Sequence, residues 1–199
     1  MALSVSTLAG YFERLHRKVQ GPGQFFDSSW DCNDAQPCDR LQWISQQFGL
    51  TEPDNCVDFT FTNLAERLIL LSPIELKKVV CGLGALAMSC HLRHCIDGPF
   101  LRELRATIGS NAFDILLQRT DLQNTKPSTF EWTIDSLCIN GLSQIIACAG
   151  PAQALPIKLL KLSLPRKFST NLAVPKAKSS ELPMADLKIL YPEFRWLFG

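Results

Sequence analysis

From Ser136 to Ile157 the chain runs for 22 residues without a charge, and few folds accommodate such a run. A bilayer-spanning helix needs about 20 apolar residues, so the length alone permits a span. The content does not. Asn140, Gly141, Ser143, Gln144, Gly150, Pro151, Gln153 and Pro156 all fall within it, and a lipid-facing helix does not tolerate so many polar and helix-breaking residues. The run therefore reads as a buried helix over 130–149, with Gly150 as its left-handed stop and Pro151 opening the next segment. A helix apolar on every side must be covered by others, which points to an all-α fold.

Helix signals recur along the chain and strand signals are scarce. Residues 8–19 and 40–48 place apolar side chains three and four apart, the second stretch preceded by Asp39 as a candidate N-cap. Residues 61–71 put Leu64, Leu68 and Leu71 on one side, with Glu66 and Arg67 on the other. Ser72-Pro73-Ile74-Glu75 is a helix start, with Ser72 as N-cap, Pro73 at the first helical position and Glu75 reaching back. That helix is expected to run on through 79–98. Asp97-Gly98-Pro99 breaks and restarts the chain, a helix over 99–108 ends at Gly109, and Ser110 caps another over 111–119. The segment between Pro156 and Pro165 reads as helix, with minor strand content near residues 157–164 as the alternative. Residues 165–181 read as an extended linker, and the end from Leu182 is amphipathic.

At 199 residues a chain of this length buries about 70% of its unfolded surface and needs no staples. The expectation is one irregular multi-helix globular domain over 1–199. It is composed of an acidic N-terminal segment over residues 1–60, a helical core 61–164, and a basic linker and C-terminal docking segment 165–199. Eight cysteines would suit a disulfide framework in an exported chain. The first residues, MALSVSTLAGYFERL, have no basic leader and interrupt their apolar run with Tyr11, Glu13 and Arg14. Four cysteines (Cys81, Cys90, Cys138, Cys148) stand in apolar runs, where a free thiol packs as a small hydrophobe. A reducing cytoplasm with free thiols is expected.

The stretch VVCGLGALAMSCHLRHCIDG, Val79 to Gly98, holds the residues that could carry chemistry. A phosphate-binding glycine loop requires a strand before it and free N–H groups at the helix start after it. Gly82 and Gly84 instead fall inside a helix already begun at Ser72, and no Lys-Ser/Thr follows. With Ala85 and Ala87 they make a smooth face for another helix to approach. Cys90, His91, His94 and Cys95 are the alternative reading, as zinc or redox ligands: Cys90 and His94, or His91 and Cys95, would stand four apart on a helix. Six consecutive helical residues cannot supply four tetrahedral ligands, and the loop pair Cys32 and Cys38 is spaced too widely for the usual metal pattern. No nucleophile elbow or Cys-x-x-Cys is present, and the loop carboxylates Asp31 and Asp34 suit a solvated surface better than acid–base work. No cofactor, no metal and no catalytic residue are expected; an enzyme stays possible on these residues but has no motif to support it.

Residues 70–199 carry a resemblance. LLSPIELKKVVCGLGAL, then IDGPFLRELRATIG, FEWTIDSLCINGLSQIIACAG, KLLKLSLP and the closing LYPEFRWLFG resemble, in this order and with similar gaps, the K component of the bacterial type III secretion sorting platform, the SctK/YscK family. The resemblance implies a cytoplasmic, mostly helical, non-enzymatic adaptor. It would tie the cytoplasmic domain of the inner-membrane ring protein (D component) to the core sorting-platform protein (Q component), peripheral at the cytoplasmic face of the inner membrane.

The charge pattern suits such an adaptor. The net charge is only +1, so no global field draws the chain to nucleic acid or membrane, and the basic residues lack the interleaved aromatics of a nucleic-acid site apart from Phe168. Locally the chain is polarised. Between Ser28 and Asp58 stand Asp31, Asp34, Asp39, Glu52, Asp54 and Asp58 against Arg40, net −5; between Lys158 and Lys178 stand Lys158, Lys161, Arg166, Lys167, Lys176 and Lys178 with no acid, net +6. Two patches of opposite sign are candidate partner-binding faces, the membrane being reached only through partners. Finally, Leu187, Leu190, Tyr191, Phe194, Trp196, Leu197 and Phe198 concentrate apolar bulk at the C-terminus. Soluble monomers do not leave such a surface free, so the end is expected to dock back on the helical core.

Overall fold

The structure is a computed structural model that describes residues 4–20, 26–30, 60–61, 63–118, 131–149, 154–170 and 184–198. Every regular element among them is helical. In chain order these are α1 (Val5–Gln20), a 3₁₀ turn (Ser28–Trp30), α2 (Leu64–Leu68), α3 (Pro73–Ala87), α4 (Ser89–Leu92), α5 (Gly98–Ile108), α6 (Ser110–Gln118), α7 (Ile134–Cys148), α8 (Ala154–Leu162), α9 (Arg166–Thr170), α10 (Met184–Leu190), a second 3₁₀ turn (Pro192–Phe194) and α11 (Arg195–Phe198). The fold is all-α, and no strand occurs among the described residues. No described helix is long and apolar enough to cross a membrane.

The elements form two compact units interleaved in sequence, one from residues 1–73 and 149–167, the other from 74–148 and 168–199. In the first, α2 packs on α8. Its N-cap is Asn63, whose side-chain oxygen accepts from the Ala65 N–H at 2.8 Å. Leu64, Ala65 and Leu68 are buried, and so are Glu66 and Arg67, which the amphipathic pattern places on the outer side. They are buried because each has a polar partner: Arg67 Nε donates to the Phe61 carbonyl at 2.6 Å, and Glu66 accepts from the Thr60 hydroxyl at 3.3 Å. Phe61 adopts φ 50°, a strained conformation for a residue with a side chain. Its ring meets Tyr11 and Phe12 of α1 edge-on, each at 5.2 Å between centroids. Lys18, near the end of α1, is buried and donates from Nζ to the Ile69 carbonyl and, at 3.0 Å, to that of Leu71. One lysine thus satisfies carbonyls left open after α2 ends.

In the second unit α3 begins at Pro73, where the local signal places it. Val79, Val80, Cys81, Gly82, Leu83, Gly84, Ala85 and Leu86 are all buried, so this helix is apolar around most of its circumference and is covered on several sides. It stops at Ala87. Met88 turns out of the helix at φ −108°, ψ 9°, and 93–97 are turns and loop, so the continuous helix expected through 79–98 is two helices and a loop. α5 is capped by Asp97, which accepts from the Phe100 N–H at 3.0 Å, and ends at Gly109 with φ 92°, a conformation that glycine adopts at little cost. α7 starts at Ile134 behind Thr133, whose hydroxyl accepts from the Ser136 N–H at 3.1 Å.

Near the basic segment one expectation holds and one differs from the structure. Residues 157–162 are part of helix α8, and the strand alternative at 157–164 is not adopted: Ser163 N–H and Leu164 N–H still bond back to Leu159 and Lys161 carbonyls. Residues 166–170, expected as extended linker, form α9, because Phe168 is fully buried and gives this short turn an apolar anchor. The expected helix at 40–48 lies outside the described residues.

Candidate functional site

Of the basic residues singled out as partner-binding, Lys158 and Lys161 lie half-buried on α8, three apart and so on one side of it, while Arg166 and Lys167 open α9 and are exposed. This corner of the first unit is built by backbone and ring contacts to the 27–30 segment. The Asp27 N–H donates to the Leu162 carbonyl at 3.0 Å, Trp30 Nε1 to the Leu164 carbonyl at 2.9 Å, and the Arg166 N–H to the Ser29 hydroxyl at 2.8 Å. The Arg166 guanidinium stands over the Trp30 ring at 5.8 Å, a cation–π contact that fixes the charge without neutralising it. Asp31, Asp34, Asp39, Asp54, Asp58, Lys176 and Lys178 lie outside the described residues.

The structure does not set the four candidate metal ligands on one helix. Cys90 and His91 are on α4, but His94 and Cys95 follow it in a turn closed by bonds to His91 and Leu92 carbonyls. The break at Met88 and the end of the helix at Leu92 therefore remove the four-residue helical spacing that would have paired the ligands. Among the described residues no three Cys, His, Asp or Glu side chains gather to hold a metal ion. Cys81, Cys90, Cys95 and Cys138 are free thiols. Cys81 and Cys138 are fully buried on α3 and α7, where a hydrogen bond with the Cys138 thiol, together with burial, pushes the Cys81 thiol far up.

The C-terminal elements form the other well-defined surface. Inward, Leu187, Leu190, Tyr191, Phe194 and Leu197 are buried, at spacings that follow the helical turn. Tyr191 donates its hydroxyl to the Lys78 carbonyl of α3 at 2.9 Å. It lies so close to Gly82 that a Cβ there would stand 1.9 Å from the tyrosine oxygen. Gly82 is thus the seat for the Tyr191 side chain. Burial pushes the Tyr191 hydroxyl well above its ordinary value. Lys78 Nζ pairs with Glu193 at 2.6 Å and stands over the Tyr191 and Phe194 rings at 5.4 and 5.8 Å. Outward, Lys188, Ile189, Pro192 and Arg195 line a surface groove of about 640 Å³. The apolar content of this end is visible in sequence; the outward set is not, because one isoleucine and one proline among charges look like any solvated helix face.

The chain matches the family described as bacterial type III secretion protein (HrpB4) over residues 5–193. It belongs to that family. This is the SctK/YscK-type family to which the succession of motifs from Leu70 onward points, and the match takes in the N-terminal residues as well. No curated protein and no solved structure matches the chain. For a type III secretion protein of this family, the described helices supply packing surfaces, two anchored charged or apolar faces and buried thiols.

Proposed function

We propose that this type III secretion protein is a non-enzymatic adaptor of the sorting platform. It links the cytoplasmic domain of the inner-membrane ring protein to the core sorting-platform protein, at the cytoplasmic face of the inner membrane and touching the membrane only through partners. The observation that carries the proposal is the family match across residues 5–193.

The charge pattern supports the adaptor reading. The basic face of Lys158, Lys161, Arg166 and Lys167, extended in sequence by Lys176 and Lys178, meets one partner, and the acidic residues Asp31, Asp34, Asp39, Asp54 and Asp58 meet the other. Opposite charges on two faces steer encounter and set orientation, and the clamp of Arg166 on Trp30 and Ser29 reduces the freedom lost when it binds.

Co-purification tests the proposal. The tagged full chain is co-expressed with each partner, alongside one variant with Lys158, Lys161, Arg166 and Lys167 changed to Glu and another with the five aspartates changed to Asn. Each variant should lose one partner and keep the other. If the unmodified chain retains neither partner, the adaptor reading fails.

A further inference from the structure

Two of the buried thiols meet where α3 and α7 cross. Gly84 of α3 lies against Leu137 of α7, and Gly141 of α7 against Val80 of α3, so the helices run antiparallel through the contact. A Cβ on Gly84 would lie 3.1 Å from the Leu137 Cα, so the two backbones already touch. Cys81 stands one turn before Gly84, and Cys138 one turn before Gly141, which puts each on the crossing face of its own helix. Both are fully buried, and the two thiols are within hydrogen-bonding reach of each other. They belong to the same compact unit.

A core cysteine by itself is a small hydrophobe. A contacting pair has a second chemistry: a disulfide tolerates Cα separations of about 4.4–6.8 Å, and helices already in backbone contact through glycine need not shift to reach it. We propose that Cys81 and Cys138 are a modification site, a thiol pair that a low-molecular-weight disulfide oxidises to an intrachain bond stapling α3 to α7. The bond forms by two exchanges. One cysteine, deprotonated, attacks a sulfur of the oxidant RSSR and releases RS⁻, leaving a mixed disulfide on the protein. The second cysteine, deprotonated in turn, attacks the sulfur of the first, forms the Cys81–Cys138 bond and releases a second RS⁻. The two thiol protons end on two RSH, and the two electrons lost by the cysteines have reduced the oxidant. Burial makes the exchange slow, because each step waits for a transient opening of the unit. Once formed, the bond closes the chain across α4, α5 and α6, which restricts the unfolded state and holds the second unit more firmly. The inference stands on this crossing and goes beyond the adaptor reading, which uses α8 and α9.

The test equilibrates the full chain with reduced and oxidised glutathione at stepped ratios, approached both from the folded thiol form and by refolding from urea. Peptide mass spectrometry without reductant reads the product. The linked peptides should be about 2 Da lighter than the two free peptides combined, for the two hydrogens lost, and fragmentation should place the link between Cys81 and Cys138. Cys90 and Cys148 share tryptic peptides with Cys81 and Cys138, so the link should persist in Cys90→Ser and in Cys148→Ser and vanish in Cys138→Ala. The urea midpoint of the linked chain should lie above that of the reduced chain, and oxidised glutathione should not raise it in Cys138→Ala. If Cys138→Ala does not fold, Cys81→Ala takes its place, and the link map of the unmodified chain needs neither variant. No link at the most oxidising ratio, glutathione held on either cysteine without a Cys81–Cys138 bond, or links between other cysteines only would overturn the proposal. So would a linked chain less stable than the reduced one, which would mean that the crossing cannot accept the bond as it stands. Co-purification of the two secretion partners is read separately, so failure of the thiol pair and failure of the adaptor reading give different results.

Discussion

Gly84 and Gly141 bring α3 and α7 into backbone contact. A Cβ on Gly141 would lie 3.0 Å from the Gly84 nitrogen and 2.0 Å from the Val80 carbonyl oxygen, and one on Gly84 would lie 2.0 Å from the Leu137 carbonyl oxygen. Neither neighbour is a flexible side-chain tip, so any substituent must push whole helices apart. In an ordinary helix interior, replacing glycine by alanine gains about 0.5–1 kcal/mol. Here Gly84→Ala should lose stability, and Gly84→Leu should lose about 1–3 kcal/mol or more through overpacking. Thermal melts check both, and an unchanged melting temperature for Gly84→Leu would contradict the crossing.

Tyr191 and Gly82 make a coupled pair. Tyr191→Phe removes the bond to the Lys78 carbonyl and should cost about 0.5–1.5 kcal/mol. Gly82→Ala should cost more, because its Cβ would meet the tyrosine oxygen at 1.9 Å and the ring carbon bearing it at 2.8 Å. With the oxygen removed, part of that clash goes, so the double variant should be less destabilised than the sum of the singles, by about 0.5–3 kcal/mol. Strict additivity in urea titrations would place the two residues apart. Deleting 191–199 should destabilise the second unit outright, since each large buried side chain lost contributes about 1.5–3 kcal/mol.

Alkaline pH should expose the buried tyrosine. The Tyr191 hydroxyl is raised well above 10.0, chiefly by burial, and Tyr11 is raised for the same leading reason. Below an ordinary tyrosine pKa of 10.0 the hydroxyl is protonated in folded and unfolded chains alike, so its contribution is fully present. Above that value the unfolded chain gives up the proton while the folded chain keeps it. The unfolded state then binds fewer protons and stability falls as pH rises. Urea midpoints measured from about pH 9 to about pH 11 should decline, and Tyr191→Phe should decline less steeply. Parallel slopes for the two proteins would show Tyr191 ionising as freely in the fold as outside it.

Thiol chemistry should sort by position. Cys81 and Cys138 are buried, and the thiolate that reacts is disfavoured at Cys81. Cys90 and Cys95 are only half-buried. Brief alkylation of the native chain with a maleimide, read by peptide mass spectrometry, should modify Cys90 and Cys95 and spare Cys81 and Cys138 until denaturant is added. Early labelling of Cys81 would contradict its packing.

Lys18 should behave as a structural residue of the first unit. Lys18→Met keeps the apolar stem but leaves the Ile69 and Leu71 carbonyls without this donor, which should cost about 1.5–3 kcal/mol for bonds to a charged group. Lys18→Arg should recover less than a conservative exchange suggests, because the planar fork does not fit a site shaped for a point donor. A melt of Lys18→Met equal to that of the unmodified chain would make the contact incidental.

Local signals in the sequence determined most of the element list. Pro73 at a helix start, Asp97 before Gly98-Pro99, Gly109 after Ile108 and the charge-free run from Ser136 each act within a few residues, through capping bonds, fixed φ or the absence of any solvated side chain, and each is recovered in the fold. The succession of motifs was also enough to place the chain in its family. Tertiary packing decided the rest. Met88 ends α3 and Phe168 anchors α9 for reasons that lie in what surrounds them, not in their neighbours along the chain. Glu66, Arg67 and Lys18 carry charges that hydropathy assigns to water, yet each is buried because a carbonyl or hydroxyl distant in sequence or across a turn satisfies it. Gly141 by itself looks only like a helix breaker; its role emerges once α3 stands against it. The interleaving of residues 1–73 with 149–167, and of 74–148 with 168–199, has the same cause. Hydrophobic burial rewards any covering surface without regard to sequence distance, so periodicity reveals which face must be covered, and only the folded chain reveals by what.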